Sequence, residues 1–291
     1  MSQGIDYDSP AALKQYLESR GMAMQKKFGQ NFLINAQARR RLVDALELEK
    51  GTSVWEVGPG LGSMTSMILA DGAKLTAFEI DRGFAAALRE ELSGYMKQGN
   101  ETFRLIEGDV LKTWKGEWKE NGVPDRFFGN LPYNVAAAIV ADMISSGVRF
   151  DKAVITVQKE VAQRITAKPG DEDYSSFSVL CQWAYDVSNI VDLAGGSFWP
   201  RPNVDSRAVK MVKKEAFPCC NDPALFMRLV RSLFAQRRKT IKNNLNALAE
   251  VKGHTDWFIE KAGLSPTLRA EVLTIEQMLA LSDVISQGYE E

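Results

Sequence analysis

The residues with the clearest chemical purpose are Asn130, Leu131, Pro132 and Tyr133, which follow a short apolar stretch. An aromatic amine is a poor nucleophile because its lone pair is delocalised into the ring. The Asn130 side-chain oxygen and a backbone carbonyl of Leu131 or Pro132 can accept both amine hydrogens, which favours a tetrahedral nitrogen with its lone pair aimed at a methyl group. Pro132 keeps Leu131 extended, and Tyr133 offers a ring on which a base can stack. The pattern predicts methyl transfer by proximity and orientation, without a strong base.

In isolation, the same four residues are more typical of a turn that enters a helix, so the interpretation depends on what surrounds them. A glycine-rich segment, Glu56 to Gly62, follows the first apolar strand pattern. Glycines such as Gly58 and Gly60 let the backbone turn tightly and approach a ligand closely. The helix that follows them directs free N–H groups to the same place.

Two acidic residues complete this series. Glu79 ends the next strand pattern about twenty positions on, where an acid typically accepts hydrogen bonds from ribose hydroxyls. Asp109 follows the third strand pattern and can accept a hydrogen bond from an adenine amino group. The series predicts a site for an adenosine-containing cofactor. The spacing G-x-G-x-G differs from the G-x-G-x-x-G of dinucleotide oxidoreductases, which weakens that alternative without removing it.

A second aromatic segment runs from Phe198 to Ser206 and contains two prolines, which stiffen it. Phe198 is a candidate to stack on the face of a base opposite Tyr133. A core phenylalanine in a proline-rich loop is an equally good interpretation of the sequence alone.

The elements that must position these residues alternate between strands and helices. Strands are predicted at 54–57, 75–80, 104–107, 126–128 and 153–157. Helices are predicted at 9–20, 63–70, 84–92 and 136–144; another helix ends at about residue 48, and one that follows the strand at 153–157 ends at about residue 165. Such alternation predicts an α/β fold with a mostly parallel sheet covered on both faces. The carboxyl ends of the strands then share one edge, outside which ligands bind.

The pattern changes near residue 217. From Asp222 to about Leu248 we expect one long helix, followed by helices at about 256–262 and 275–285. The sequence therefore predicts a cofactor-binding catalytic domain over residues 1–214 and a small all-α domain over 215–291.

Composition excludes several classes of protein. The chain has one histidine and three cysteines, without metal-ligand spacing, so we expect neither a metal site nor a Ser–His–Asp mechanism. The odd number of cysteines fits a reducing cytoplasm. No apolar run is long enough to span a membrane, and the polar N-terminus is not typical of a signal peptide.

The formal net charge is −1, so any contact with nucleic acid requires a local basic surface. Residues 228–242 supply six cations and no acid: Arg228, Arg231, Arg237, Arg238, Lys239 and Lys242. On one continuous helix, Arg231, Arg238 and Lys242 share a face opposite an apolar face. We interpret this face as an RNA-phosphate contact rather than a merely solvated surface, with Arg39–Arg41 and Lys26–Lys27 as further candidates.

With these residues in view, the chain resembles the small-subunit ribosomal RNA adenine N6-dimethyltransferases over nearly its whole length. The matching segments are Phe28–Leu33, Glu56–Gly62, Asn130–Tyr133, Gln158–Val161, Phe198–Ser206 and Gln236–Ile241. One departure is Tyr174 to Ser178, where the family usually has Tyr-Gly and Leu-Ser.

The resemblance implies a class I, Rossmann-like S-adenosylmethionine methyltransferase sheet with a late antiparallel strand and a helical C-terminal domain. It implies S-adenosylmethionine as methyl donor, with Asn31, Leu33, Gly58, Glu79, Asp109 and Asn130 around it. It also implies a substrate of two adjacent adenosines near the 3′ end of small-subunit (16S) rRNA, in a partly assembled subunit, and a cytoplasmic enzyme that we expect to be a monomer.

Three alternatives remain at this point. A large-subunit rRNA methyltransferase of the macrolide-resistance type would share both sites, although Phe28–Leu33 and Arg237–Ile241 favour the small-subunit enzyme. A ribosome-assembly factor without catalysis would not need Asn130 and Tyr133. An NAD oxidoreductase would bind a different cofactor.

Overall fold

The computed structural model describes residues 5–24, 30–97, 101–132 and 135–289. The chain divides into two compact units. The first comprises the described residues up to Met143 together with Val148–Ala162 and Ser188–Val212. The second comprises Ile144–Gly147, Gln163–Val187 and the chain from Lys213 onward. Within the described ranges, no helix has the length and apolar character needed to cross a membrane.

The strands are short, and the central ones are buried on both faces, as expected for interior parallel strands. Their bounds are β1 Phe32–Leu33, β2 Ser53–Val57, β3 Lys74–Glu79, β4 Phe103–Glu107, β5 Arg126–Asn130, β6 Lys152–Gln158, β7 Tyr185–Leu193, β8 Phe198–Trp199 and β9 Ser206–Lys213. The main sheet has the order β4-β3-β2-β5-β6-β9-β7, and β1 and β8 form a separate antiparallel pair.

Parallel pairing joins β2 to β3 and β5, β3 to β4, and β5 to β6, while β9 runs antiparallel to β6. The α/β class with a mostly parallel sheet, predicted from the alternation of elements, is confirmed. Because parallel strands place their carboxyl ends on one edge, Val57, Glu79 and Asn130 end neighbouring strands on the same side of the sheet.

The α-helices among the described residues before position 170 are α1 Pro10–Ser19, α2 Ala36–Asp44, α3 Ser63–Ala70, α4 Arg82–Glu91, α5 Val110–Asn121, α6 Ala136–Ser145 and α7 Lys159–Thr166. Asp81 and Asp109 cap α4 and α5 by accepting backbone N–H groups of the first turn. Helix α5, which directly follows the proposed cofactor ligand Asp109, was not predicted from the sequence.

The second unit contains α8 Ser176–Ala184, α9 Pro223–Leu233, α10 Ile241–Leu245, α11 Thr255–Lys261 and α12 Ile275–Gln287. Its core includes Trp183, whose ring lies 4.5 Å from that of Phe217 and 4.7 Å from that of Phe226, measured between centroids. The second unit is therefore not only the predicted segment 215–291. It also takes in α8, because the buried side chains of α8 pack in the helical core.

The prediction of one helix from Asp222 to about Leu248 is wrong. Helix α9 ends at Leu233, and α10 begins at Ile241 after Thr240 caps it. Between them the chain is anchored by tertiary hydrogen bonds, which sequence periodicity does not register. The Ile241 backbone N–H donates to the Leu268 carbonyl over 2.7 Å, and the Asn244 side chain donates to the carbonyls of Leu233 and Gln236.

Candidate active site

A cavity of about 290 Å³ lies in the first unit at the edge where β2, β3 and β5 end. Each residue that the sequence analysis assigned to cofactor binding lines this cavity: Asn31, Leu33, Gly58, Gly60, Glu79, Asp109 and Asn130. Leu131 and Pro132 line it as well. Residues predicted separately for the cofactor and for the target amine therefore converge on one space.

The glycine-rich loop forms one wall of the cavity. Gly58, Gly60 and Gly62 have φ angles of 72°, 59° and 87°, in the left-handed region that L side chains rarely adopt. A Cβ added at Gly60 would lie 3.1 Å from the Phe32 ring. Glycine at position 60 thus allows the loop and the segment around β1 to close on the same cavity.

Glu79 is held by the backbone on both carboxylate oxygens. Oε1 accepts from the Asp81 N–H over 2.8 Å, and Oε2 accepts from the Gly60 N–H over 3.1 Å. Burial raises the pKa of Glu79 to about 7, although these two N–H groups act in the opposite direction. The carboxylate is fixed in place, and hydroxyl donors of a ribose would favour its ionised form.

Asp109 uses one oxygen structurally. Its Oδ1 accepts from the Leu111 N–H over 3.0 Å at the start of α5. Within the described ranges its other oxygen has no protein partner, so it is available to accept from an amino group in the cavity.

Asn130 ends β5 with its carboxamide in a defined orientation. Nδ2 donates to the backbone carbonyl of Asn31 over 3.1 Å. Since a carbonyl oxygen only accepts hydrogen bonds, the atom that faces it must be nitrogen. Within the described part of the chain, Oδ1 has no protein partner, and it can accept from a ligand amine.

The structure also distinguishes the two backbone carbonyls left open by the sequence. The Pro132 carbonyl accepts from the N–H groups of Val135 and Ala136, where α6 begins. The Leu131 N–H donates to the Thr156 carbonyl over 3.1 Å, whereas the Leu131 carbonyl has no partner among the described residues. Leu131 is therefore the better candidate for the second acceptor.

The two aromatic residues predicted to stack on the base are Tyr133 and Phe198. Tyr133 lies outside the described residues, as do Lys26 and Lys27. Phe198 is 3 % exposed, belongs to the apolar core of the first unit and pairs through its backbone with Leu33. Its ring does not line the cavity in this structure. This arrangement favours the core interpretation of Phe198, and its stacking on a base stays a prediction.

Several cavity residues were not identified from the sequence. Gln30 lines the cavity, and its Nε2 donates to Asp81 Oδ2 over 3.1 Å. Ile80, Val135 and Ile139 add apolar wall, and Ile80 remains 42 % exposed. For Ile80 the position directly after Glu79 was an available signal, because it follows the end of a strand at the ligand edge. An apolar helix residue such as Ile139 carries no such signal.

The expected basic face in the second unit is not one helical face. Arg231 is exposed on α9, Arg238 is exposed in the segment between α9 and α10, and Lys242 on α10 lies 2.6 Å from Asp256 Oδ2. In the described portion of the chain, Arg231 and Arg238 have no hydrogen-bond or ion-pair partner. Two of the three cations are thus available, but on different elements.

The three consecutive arginines of the first unit, Arg39 to Arg41, form hydrogen bonds and ion pairs within the protein. Arg39 is buried and bonds to the Leu33 carbonyl and Asp8, Arg40 pairs with Asp71, and Arg41 donates to the Ile190 carbonyl. The idea that these arginines extend an RNA surface is therefore not supported.

The sheet order and the cavity at its carboxyl edge are those of the class I methyltransferase fold. Among solved structures, a dimethyladenosine transferase from Plasmodium falciparum aligns with a TM-score of 0.72 at 24 % identity, covering 85 % of this chain and 94 % of that one. The 23S rRNA methyltransferase ErmE aligns with a TM-score of 0.63 at 24 % identity, covering 88 % of this chain and 99 % of its own. At these identities the likeness concerns the fold alone.

Sequence comparison is more specific. A model of the ribosomal RNA adenine dimethylase family matches residues 21–287. A ribosomal RNA small subunit methyltransferase A of Treponema denticola is 48 % identical over 96 % of this chain and 96 % of that protein. A protein of the same name from Geobacillus sp. (strain WCH70) is 35 % identical over 96 % and 98 %. This chain belongs to the ribosomal RNA adenine dimethylase family.

Proposed function

We propose that this protein transfers methyl groups from S-adenosylmethionine to the N6 atoms of two adjacent adenosines near the 3′ end of small-subunit rRNA. The observation that carries the proposal is a pair of acceptors at the cavity, Asn130 Oδ1 and the Leu131 carbonyl, which have no hydrogen-bond partner among the described residues. The choice of the small subunit is supported by the name shared by relatives that match over nearly the full chain.

The described residues fit the methyl donor. Glu79 would accept hydrogen bonds from the ribose hydroxyls of S-adenosylmethionine, and Asp109 would accept one from its adenine amino group. The glycine loop, with its left-handed backbone, would let S-adenosylmethionine approach the main chain closely. When bound, S-adenosylmethionine supplies an electrophilic methyl group on a sulfonium.

The chain itself orients the amine. With one N–H directed to Asn130 Oδ1 and the other to the Leu131 carbonyl, the nitrogen becomes pyramidal and its lone pair faces the cavity. The methylated nitrogen is acidic and releases a proton to solvent, so no basic side chain is required. A second transfer needs only one of the two acceptors, because the amine then has one hydrogen. Catalysis is mainly proximity and orientation.

Recognition of the large RNA substrate needs cations outside the cavity. We assign Arg231 and Arg238 of the second unit to phosphate contacts, with Lys242 as a weaker contributor because Asp256 already pairs with it. The substrate would be a partly assembled small subunit in the cytoplasm, and we expect the enzyme to act as a monomer.

The decisive experiment incubates the protein with methyl-labelled S-adenosylmethionine and small subunits that lack the modification, and then maps the labelled nucleotides. We expect label on two adjacent adenosines near the 3′ end of the small-subunit rRNA. Purified large subunits serve as the control. Label on large-subunit rRNA would favour the macrolide-resistance type of activity, and binding to small subunits without label would favour an assembly factor. Calorimetry with NAD in parallel tests the oxidoreductase alternative.

A further inference from the structure

The loop that joins β8 to β9 carries an arginine that the activity proposed above leaves unexplained. Arg201 is exposed, and in the structure as described its guanidinium has no hydrogen-bond or ion-pair partner. Pro200 and Pro202 flank it and restrict the backbone on both sides. The loop therefore presents a cation on a stiff backbone.

Most of the other arginines of the first unit have a partner within the protein. Among its described residues, every arginine except Arg82 and Arg201 has a partner within the protein, as Arg20 has Glu90 and Arg207 has Asp192. An unpaired guanidinium is thus unusual in this unit, and such a group can form charge-assisted hydrogen bonds with an anionic ligand.

The arginine side chain also has a defined place. It lies across Gly195: a Cβ added there would be 3.0 Å from Arg201 Nε and 3.2 Å from Cγ. The only acid between residues 200 and 205, Asp205, accepts from the Gly195 N–H over 3.2 Å and forms no ion pair with Arg201. The aliphatic part of the Arg201 side chain packs against the backbone at Gly195, while its guanidinium has no partner among the described residues. This packing lowers the conformational entropy that is lost when an anion binds.

Strand pairing relates this loop to the cavity. Trp199 pairs with Phe32 and Phe198 with Leu33, and both Phe32 and Leu33 line the cavity. Arg201 is two residues beyond Trp199. Further along the loop, Asn203 is exposed and Val204 is 44 % exposed. A cation, an amide and an apolar side chain lie together on a loop attached to the cavity wall, and this combination suits a single RNA strand.

We propose that the loop at 200–204 is an RNA-binding site in which Arg201 binds a phosphate next to the target nucleotide, while Asn203 and Val204 contact the adjoining nucleotide. Arginine suits this role because its planar guanidinium can bind two phosphate oxygens at once. The inference rests on the proposed function, since it takes the strand that delivers the target base as its ligand.

The test compares the wild type with Arg201→Ala, Arg201→Lys and, as a charge-matched control, Lys74→Ala. Lys74 is exposed at the amino end of β3, on the opposite edge of the sheet from the cavity. Small-subunit binding is measured against salt concentration, and KM and kcat are measured with saturating S-adenosylmethionine. For Arg201→Ala we expect KM to rise about tenfold and the salt slope to fall by about 0.7–0.9, the value for one phosphate on a single strand or duplex.

The accompanying expectations separate this role from a general loss of structure. The kcat, the cofactor Kd and the melting temperature of Arg201→Ala should stay close to wild type. Arg201→Lys should regain the salt slope but only part of the KM, because it keeps the charge and loses the two-pronged geometry. Lys74→Ala should behave as wild type.

A folded Arg201→Ala variant with unchanged KM and salt slope would overturn the inference. An equal effect of Lys74→Ala would also overturn it, because the loss would then reflect net charge alone. If the wild type fails to methylate small subunits, the proposed function fails instead. The two failures are distinguishable because the first requires an active wild type.

Discussion

The side-chain amide of Asn130 donates a hydrogen bond to the backbone carbonyl of Asn31, 99 positions earlier in the chain, over 3.1 Å. This contact fixes which end of the carboxamide meets the cavity, because only nitrogen can donate to the Asn31 carbonyl. The segment after Asn31 is itself held by β8 through the pairs Phe32 with Trp199 and Leu33 with Phe198. The orientation of Asn130 thus depends on a segment that the order of the motifs along the chain does not place beside it.

Asn130→Ala is expected to lower single-turnover methyl transfer by about 10²–10³-fold, the range for loss of one preorganised hydrogen-bonding group in a transition state. Affinity for S-adenosylmethionine should change only a few-fold, because Glu79 and Asp109 remain. Rapid-quench assays and calorimetry measure the two quantities. Asn243→Ala, at an exposed asparagine in the second unit, is the matched control. Transfer within a few-fold of wild type would contradict the role given to Asn130.

The pKa of Glu79, raised by burial to about 7, predicts a pH dependence of cofactor binding. Ribose hydroxyls donate to the ionised carboxylate, so affinity should increase as the pH rises from about 6 to 8 through this pKa. Glu79→Gln removes the titration and should bind more weakly at pH 8. The ratio of the wild-type to the variant Kd cancels any titration of the ligand itself. A ratio that does not change between pH 6 and pH 8 would show that Glu79 does not titrate in this range.

Glu56 predicts a dependence of stability on pH. Glu56 is 1 % exposed, its Oε2 has no hydrogen-bond partner among the described residues, and burial raises the pKa of its carboxyl to about 8. Since the folded protein holds this proton more tightly than the unfolded chain, the stability it contributes is full below about pH 4.5 and is lost as the pH rises towards 8.

Glu56→Gln should therefore be more stable than wild type at pH 9, by on the order of 2–4 kcal/mol, and close to wild type at pH 5. Urea denaturation at both pH values measures the difference, and other titrating groups cancel between the two proteins. An equal difference in the free energy of unfolding at pH 5 and pH 9 would argue against a neutral Glu56 in the folded state.

Helices whose ends are marked by residues such as glycine could be predicted from the sequence. Helix α3 was expected at 63–70 and is found there, because Gly62 and Gly72 mark its ends. The choice between the Leu131 and Pro132 carbonyls was not open to sequence reasoning, since it depends on which N–H groups of α6 meet Pro132. Phe198 shows the same limit: its residue type suits both a core and a stacking platform, and only the packing around Leu33 distinguishes them.

Asn244 explains why the predicted long helix is divided. It is buried, its Nδ2 donates to the Leu233 and Gln236 carbonyls over 2.7 and 3.2 Å, and its own carbonyl accepts from Ser232 Oγ. Asn244→Ala leaves two carbonyls without this donor and should destabilise the second unit by about 1–3 kcal/mol. It should also weaken small-subunit binding, because the segment that carries Arg238 loses its anchor. Asn243→Ala, next to it but exposed, should change neither quantity; if it lowers both equally, the buried hydrogen bonds are not the cause.

The cations proposed for RNA binding in the second unit should contribute unequally. Arg231 and Arg238 have no partners in the part of the chain that the structure describes, whereas Lys242 Nζ lies 2.6 Å from Asp256 Oδ2. A cation that is already paired with a carboxylate contributes little to RNA binding, because it must give up that pair to neutralise a phosphate. Arg231→Ala and Arg238→Ala should each reduce the salt slope of small-subunit binding by about 0.7–0.9, and Lys242→Ala by less.

A fourth variant, Asp256→Asn, reverses the argument for Lys242. It frees the ammonium group without adding a side chain, so binding should strengthen and the salt slope should become steeper. In the Asp256→Asn background, Lys242→Ala should then reduce the salt slope of small-subunit binding as much as Arg231→Ala does in the wild type. Circular dichroism verifies folding, and cofactor affinity should be unchanged in every variant, because the cavity residues belong to the first unit. Folded Arg231 and Arg238 variants with the wild-type salt slope would mean that these side chains are only solvated, and Asp256→Asn should then have no effect either.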